Sequence, residues 1–300
     1  MPVFQVLSKQ QQDLLSEQET NMTRLSDMIE ADALHFIEPD YSSLVNNGEP
    51  AVLICEASPA SGDARILLDE DGNPTLFAVK TNGEWYATGW LFRTPSAQEL
   101  ALFEKADGEM YQENRSDIER AFRDEFSGKI AKTISPAGED LTEERIEMVR
   151  SLLIEKFGTN LSGTCIDACC GSGIGSAIMR ELGCSPLAYD NDDELLSLGF
   201  ASGRLKTDEA VCIDGRIASA YMPDAEYGIG IMFGQMYTYT KEIWQPIVEE
   251  LAGITQKTLI TVATEEEAHW VKEWAAGVGR TLEISENTRD PIYDRWVCFG

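Results

Sequence analysis

The stretch that decides the fold is Cys165-Ile166-Asp167-Ala168-Cys169-Cys170-Gly171-Ser172-Gly173-Ile174-Gly175-Ser176. A short apolar run meets an acid, breaks into a glycine turn, and passes at once into the helical pattern Ala177-Ile178-Met179-Arg180-Glu181-Leu182. The segment reads as strand, tight loop and helix. Small residues let a loop backbone pass close to a ligand, and the free N–H groups of a helix start face the same point.

Downstream, apolar runs recur at residues 186–190, 210–215, 227–233 and 258–264, separated by helical patterns around Leu196 and Trp244. With the first run they make five nearly continuous apolar strands alternating with helices, which a parallel sheet covered on both faces requires. Residues 281–286 and 295–299 have no helix between them and are expected to pair as an antiparallel hairpin at one edge. The spacing predicts an α/β fold whose seven-stranded, mostly parallel sheet has an antiparallel last strand. Pro246 predicts a kink or a late start in the helix around Trp244.

Upstream the periodicity differs. Residues 8–34 carry spaced apolar positions that predict one or two helices. Short strand-like runs follow at 51–55, 64–68, 75–79 and 84–92, with Asn82-Gly83 as a hairpin turn, so an antiparallel meander is expected. Its Trp85, Trp90 and Phe92 suit a core, or the lining of a substrate pocket. Residues 96–132 are helical and charged, Ser135-Pro136-Ala137-Gly138 is the linker candidate, and 141–157 form a helix with Ile146, Val149, Leu152, Leu153 and Phe157 on one face. The expected division is an N-terminal α+β domain over residues 1–135, for substrate or partner recognition, and a ligand-binding domain over 136–300.

The formal net charge is -28, from 52 acidic against 24 basic residues in a chain of 300. Such a surface repels phosphate backbones, so nucleic acid is a poor expectation. The acidity suits a basic partner or a cationic ligand, or simply a solvated surface in a salty cytoplasm, as the acids are scattered along the chain. The first ten residues hold no apolar core segment and no apolar run reaches the length of a membrane span, which predicts a cytoplasmic protein. Seven cysteines without zinc-site spacing read as reduced thiols. Cys169-Cys170 reads as part of the loop, with a redox or metal pair as the alternative, and no metal is expected.

Acids close the first three strands of the alternating region: Asp167, Asp190 and Asp214. Ligands of open parallel sheets bind beyond the carboxyl ends of the strands. A dinucleotide's pyrophosphate would meet Asp167 in repulsion, and the loop carries Ser176 where the fingerprint wants its third glycine. An acid at that point suits an ammonium group, and Asp190 can accept from two ribose hydroxyls. A nicotinamide-dependent reductase is disfavoured on the same grounds.

On these residues the sequence resembles the class I S-adenosylmethionine-dependent methyltransferases over about residues 140–300. Their first motif lines up with Ile166-Asp167-Ala168-Cys169-Cys170-Gly171-Ser172-Gly173, where Cys169 stands in place of the commonest first glycine. The resemblance implies S-adenosyl-L-methionine as cofactor, near Asp167, Cys169, Gly171, Ser172 and Gly173. It also implies Asp190 at the ribose and Asp214 with Gly215 at the adenine amino group; Asn191 and Phe233 complete the candidate set. Methyl acceptors meet the family's fourth strand end, which in amino-group DNA methyltransferases reads Asp/Asn-Pro-Pro-Tyr and here reads Phe233-Gly234-Gln235-Met236-Tyr237. Gln235 and Tyr237 either orient an acceptor or pack. The departure, with the acidity, points to a protein or small-molecule acceptor. Of the two histidines, His269 falls in the helix after the fifth strand, which leaves His35 as the one histidine candidate for a base. A non-catalytic S-adenosylmethionine-binding or regulatory protein with this fold is the alternative.

Overall fold

The computed structural model describes residues 23–46, 54, 59–234 and 236–300. The chain divides into two compact units, Met1–Lys129 and Ile130–Gly300.

The first unit is built on a five-stranded sheet of β1 (Leu34–Phe36), β2 (Ala64–Leu68), β3 (Pro74–Thr81), β4 (Glu84–Gly89) and β5 (Glu109–Gln112), in the order β1-β4-β3-β2-β5. The meander is present: β2, β3 and β4 pair antiparallel, and Thr81 faces Glu84 across the Asn82-Gly83 turn. Both turn residues have positive φ, 54° and 89°, which the primed hairpin turns need and which Asn and Gly supply at least cost. Two strands escape the sequence pattern. β1 has three residues and begins at the last residue of the stretch read as helical, and β5 has no buried face to betray it by alternation. Both add in parallel at the sheet edges.

Of the run 51–55 only Ile54 lies among the described residues, and it is helical rather than extended. The helices expected before residue 34 lie mostly outside them, and the described part is one turn, Leu25–Met28. Residues 96–132 hold two helices, α1 (Ala97–Lys105) and α2 (Arg115–Thr133), flanking β5. Trp85 and Trp90 are buried and Phe77 stacks on Trp90 at 5.3 Å, so these aromatics build core.

The second unit opens with α3 (Glu143–Phe157), started by Thr142, whose side chain accepts from Arg145 N–H. Then come β6 (Thr164–Ala168), α4 (Ile174–Glu181), β7 (Ser185–Asp190), α5 (Asp193–Ser202), β8 (Ala210–Cys212), β9 (Ala225–Gly230), α6 (Lys241–Ile254), β10 (Thr255–Val262), α7 (Glu265–Gly277), β11 (Glu283–Glu286) and β12 (Trp296–Phe299). The sheet order is β11-β12-β10-β9-β6-β7-β8. Neighbours are parallel except β12, which is antiparallel to both β10 and β11 and closes the expected edge hairpin. The fold of the second unit is therefore α/β, with the seven-stranded, mostly parallel sheet and antiparallel last strand that the alternation predicts, and the first unit is α+β.

Val149, Leu152 and Leu153 of α3 pack with Ile178 and Met179 of α4 on one face of this sheet. Helix α6 does not begin late: it starts at Lys241 and carries Pro246 in its second turn. No helix among the described residues is long and apolar enough to cross a membrane. The chain moves from β6 to β7 in one direction and reaches β9 on the other side of β6, so the strand order reverses there. The crevice at such a reversal is where this architecture places ligands.

Candidate functional site

After β6 the backbone enters the left-handed region three times in five residues, at Cys169 (φ 47°), Gly171 (φ 53°) and Gly173 (φ 83°). Gly171 N–H donates to Asp190 Oδ2 at 2.8 Å, and Cys170 N–H to Tyr189 carbonyl at 3.0 Å, which ties the loop to the end of β7. Asp190 Oδ1 accepts from Asp192 N–H at 3.0 Å. Each carboxylate oxygen thus keeps acceptor capacity for a ligand. Burial raises the Asp190 carboxyl against the opposing pull of the Gly171, Asp192 and Asn191 N–H groups.

Asp167 is 1% exposed. Its Oδ2 accepts from Ser176 N–H at 2.6 Å and from Ser176 hydroxyl at 2.7 Å, so the acid holds the first turn of α4, while Oδ1 receives neither bond. Gly175 makes this approach possible, since a Cβ there would lie 2.9 Å from Asp167 Oδ2 and 2.6 Å from Ile229 Cδ1. Burial, with Asp190 nearby, pushes the Asp167 carboxyl up to about 7 despite the Ser176 bonds. The same burial and the same two acids push the Cys169 and Cys170 thiols up, so neither is a ready thiolate.

These groups open onto one cavity of about 760 Å³, within the range of small-molecule and cofactor sites. The structure brings Asp167, Cys169, Gly171, Ser172, Asp190, Asn191, Asp214 and Gly215 to its wall, joined by Glu139, whose carboxylate takes the Ser172 hydroxyl. Gly173 lies elsewhere: it caps α4 and packs on Leu205, whose Cδ2 would sit 2.4 Å from a Cβ. Phe233 is core, 1% exposed, against Trp244 and the backbone of Gly230. Tyr237 is exposed, stacked on Tyr239 at 5.2 Å, and is not among the lining residues. Gln235 lies outside the described residues. His269, in α7, is not among the residues lining the cavity, and His35 lies in β1 of the first unit.

Asp214 differs from its expected setting. Arg216 Nε lies 3.0 and 2.9 Å from its two oxygens and Nη2 2.5 Å from Oδ2, and this pairing holds the carboxyl below its ordinary value. The acid is engaged by a residue two positions on, a partner the Asp-Gly-Arg tripeptide could have suggested. Sequence reasoning also passed over Arg145, Met232, Trp244 and Tyr293, all on the cavity wall. Arg145 Nη1 donates to Asp290 at 2.9 Å and Nη2 to Asp294 at 3.0 Å. Asp290 Oδ1 accepts from Ile292 and Tyr293 N–H, an Asx turn announced by Asp290-Pro291. That turn was the one legible signal of the cluster.

Cys169 stands at a position whose backbone favours glycine. A left-handed non-glycine residue costs about 1–2 kcal/mol, offset by roughly 0.5–1 kcal/mol for the larger entropy that glycine loses on folding. Cys169→Gly is accordingly expected to stabilise the protein slightly, and the branched Cys169→Val to destabilise it by about 1 kcal/mol or more. Urea unfolding midpoints measure both. A Val variant as stable as the parent would contradict the strain account.

No protein-family model and no curated protein matches the chain. Among solved structures it is similar to the magnesium protoporphyrin IX methyltransferase of Synechocystis, solved with bound S-adenosylmethionine, at 13% identity and a TM-score of 0.43 over 61% of this chain and 95% of that one. It is similar to a ribosomal protein L11 methylase from Lactobacillus delbrueckii subsp. bulgaricus at 14% identity and a TM-score of 0.41, over 65% and 86% of the two chains. A precorrin-6y C5,15-methyltransferase from Geobacter metallireducens aligns at 14% identity and a TM-score of 0.40, over 55% and 92%.

Proposed function

We propose that the protein is a cytoplasmic S-adenosylmethionine-dependent methyltransferase acting on a protein or small-molecule acceptor rather than nucleic acid. The observation that carries this is the pair of buried acids, Asp167 and Asp190, at the ends of adjacent central strands, bracketing a left-handed glycine loop at the strand-order reversal. Two carboxylates facing one cavity exclude a pyrophosphate and suit a ligand with a positive end and vicinal hydroxyls. When bound, S-adenosylmethionine supplies an electrophilic methyl group on a positively charged sulfur.

The residues fit that ligand. Asp190 would hold the ribose hydroxyls on its remaining acceptor capacity, and Asp167 the ammonium group on Oδ1. Ile213 and Ile247, both on the cavity wall, would cover an adenine ring while Gly215 leaves it room. The role of Asp214 is recast: paired to Arg216, it shapes the wall as an ion pair, leaving the adenine amino group to backbone acceptors nearby. The chain's remaining task is alignment and exclusion of water, which is the main protein contribution to an in-line displacement. The first unit, with a sheet and core of its own, is proposed to recognise the substrate or a partner.

Calorimetry with S-adenosylmethionine and S-adenosylhomocysteine tests the reading: one site per chain is expected, and no binding of either would end it. The alternative is a non-catalytic or regulatory binder, motivated by the departure of Phe233-Gly234-Gln235-Met236-Tyr237 from a recognisable acceptor motif. Transfer of labelled methyl from the cofactor to any component of a cell extract would reject that alternative.

A further inference from the structure

A cofactor held by Asp167, Asp190 and Gly215, after β6, β7 and β8, leaves the part of the cavity lined by residues that follow β9 for a second ligand. Met232, Tyr293, Ile243 and Trp244 line the cavity. The first three are large apolar side chains left 45%, 48% and 48% exposed, which leaves apolar surface on the cavity wall for a ligand to cover.

The Met232 and Tyr293 part of this wall is held by a closed circuit of contacts. Met232 has φ 55°, and its N–H donates to Thr261 Oγ1 at 2.7 Å; that hydroxyl donates to Asp294 Oδ1 at 2.6 Å. Asp294 receives Arg145 Nη2, which also lies 3.3 Å from Met232 Sδ. The Arg145 guanidinium covers one face of the Tyr293 ring, 4.6 Å from its centre. A non-glycine residue stays in left-handed backbone only where its surroundings over-determine it, and here they do.

Charge then selects the occupant. Among the described residues lining the cavity, Arg145 and Arg216 are positive and six are acids; Glu139 is paired to Arg204, Asp214 to Arg216, and Asp167 holds a proton below about pH 7, so the negative charge left on the wall lies on Asp140, Asp190 and Asp192. Both cations are engaged: Arg145 by Asp290 and Asp294, Arg216 by Asp214. A phosphate or carboxylate arriving here would meet a net negative field and no uncompensated partner, whereas a neutral or cationic group is drawn in.

We propose that the methyl acceptor is an uncharged or cationic molecule with an aromatic or apolar face, seated against Met232, Tyr293, Ile243 and Trp244, and that phosphorylated and carboxylated molecules are refused. This rests on the methyltransferase reading above. The staple holds Met232 and Tyr293 in place, so the apolar face is recognised by shape and the charge left on the cavity wall sets the sign of its partner.

The test is calorimetry on the full-length protein saturated with S-adenosylhomocysteine. The probes are tryptamine, tyramine and phenethylamine, each matched with the carboxylate of the same ring, such as indole-3-acetate for tryptamine. At least one amine is expected to bind tenfold or more tightly than its carboxylate partner. Tyr293→Ala is expected to weaken that amine at least fivefold while leaving the S-adenosylhomocysteine affinity within twofold. No binding by any amine, or a carboxylate binding as tightly as its amine, would overturn the proposal. Binding of S-adenosylhomocysteine is measured first in the same cell, so failure of the methyltransferase reading shows there, and failure of the acceptor inference only afterwards.

Discussion

Asp190→Ala is expected to weaken S-adenosylmethionine binding by about 100-fold or more, since two hydrogen bonds to a charged acceptor contribute roughly 1.5–3 kcal/mol each. The same carboxylate holds Gly171 and Asp192 N–H, so a lower affinity alone does not separate ribose recognition from loop support. A cofactor analogue lacking the ribose hydroxyls makes the separation. It should bind the parent protein as weakly as the Ala variant binds the natural cofactor, and the Ala variant should not distinguish the two ligands. A variant that still favoured the natural cofactor by a large factor would remove Asp190 from the ribose. Circular dichroism of the empty variant checks that the fold persists.

The second expected result is a pH dependence of affinity governed by Asp167. With its carboxyl pushed up to about 7, the empty protein carries a proton there below that pH. An ammonium group needs the carboxylate, so binding displaces the proton. Affinity should rise about tenfold per pH unit up to roughly pH 7 and flatten above it, as linkage of one proton requires. The sign for stability is opposite. Between the ordinary carboxyl value near 4 and 7, the folded state holds a proton that the unfolded chain has lost, so the empty protein loses stability as pH rises through that window and is level above it. Titrations at pH 6 in buffers of different ionisation enthalpy should show release of close to one proton per cofactor. Asp167→Asn should bind weakly at every pH with the dependence gone, and an unchanged slope in that variant would assign the proton elsewhere.

Much of this site was legible because its parts are neighbours in sequence. Asp167 meets Ser176 nine residues on, and the loop between them is written in small residues. Asp190 reaches the loop across one strand–helix–strand unit whose handedness and pairing leave no freedom. Phe233 was ambiguous for a local reason as well: an aromatic at a strand end reads equally as a ring over a ligand or as core, and the structure buries it in the space left by Gly230, which pattern reading does not show. Tyr237 shows the converse, a loop residue whose neighbour Tyr239 supplied a stacking partner outside the cavity.

By itself the sequence determined the alternation of strands and helices, the edge hairpin, the glycine loop and the acids at the strand ends. These follow from periodicity and turn chemistry acting over a few residues. Only the tertiary structure decided that β9 lies beside β6, and that Arg145 meets Asp290 and Asp294 from 145 and 149 residues away. It also decided that Met232 and Tyr293 face the cavity those elements enclose. The physical reason is that a side chain's partners at such separations are chosen by which strand ends the sheet sets next to one another, and strand order carries no local signature.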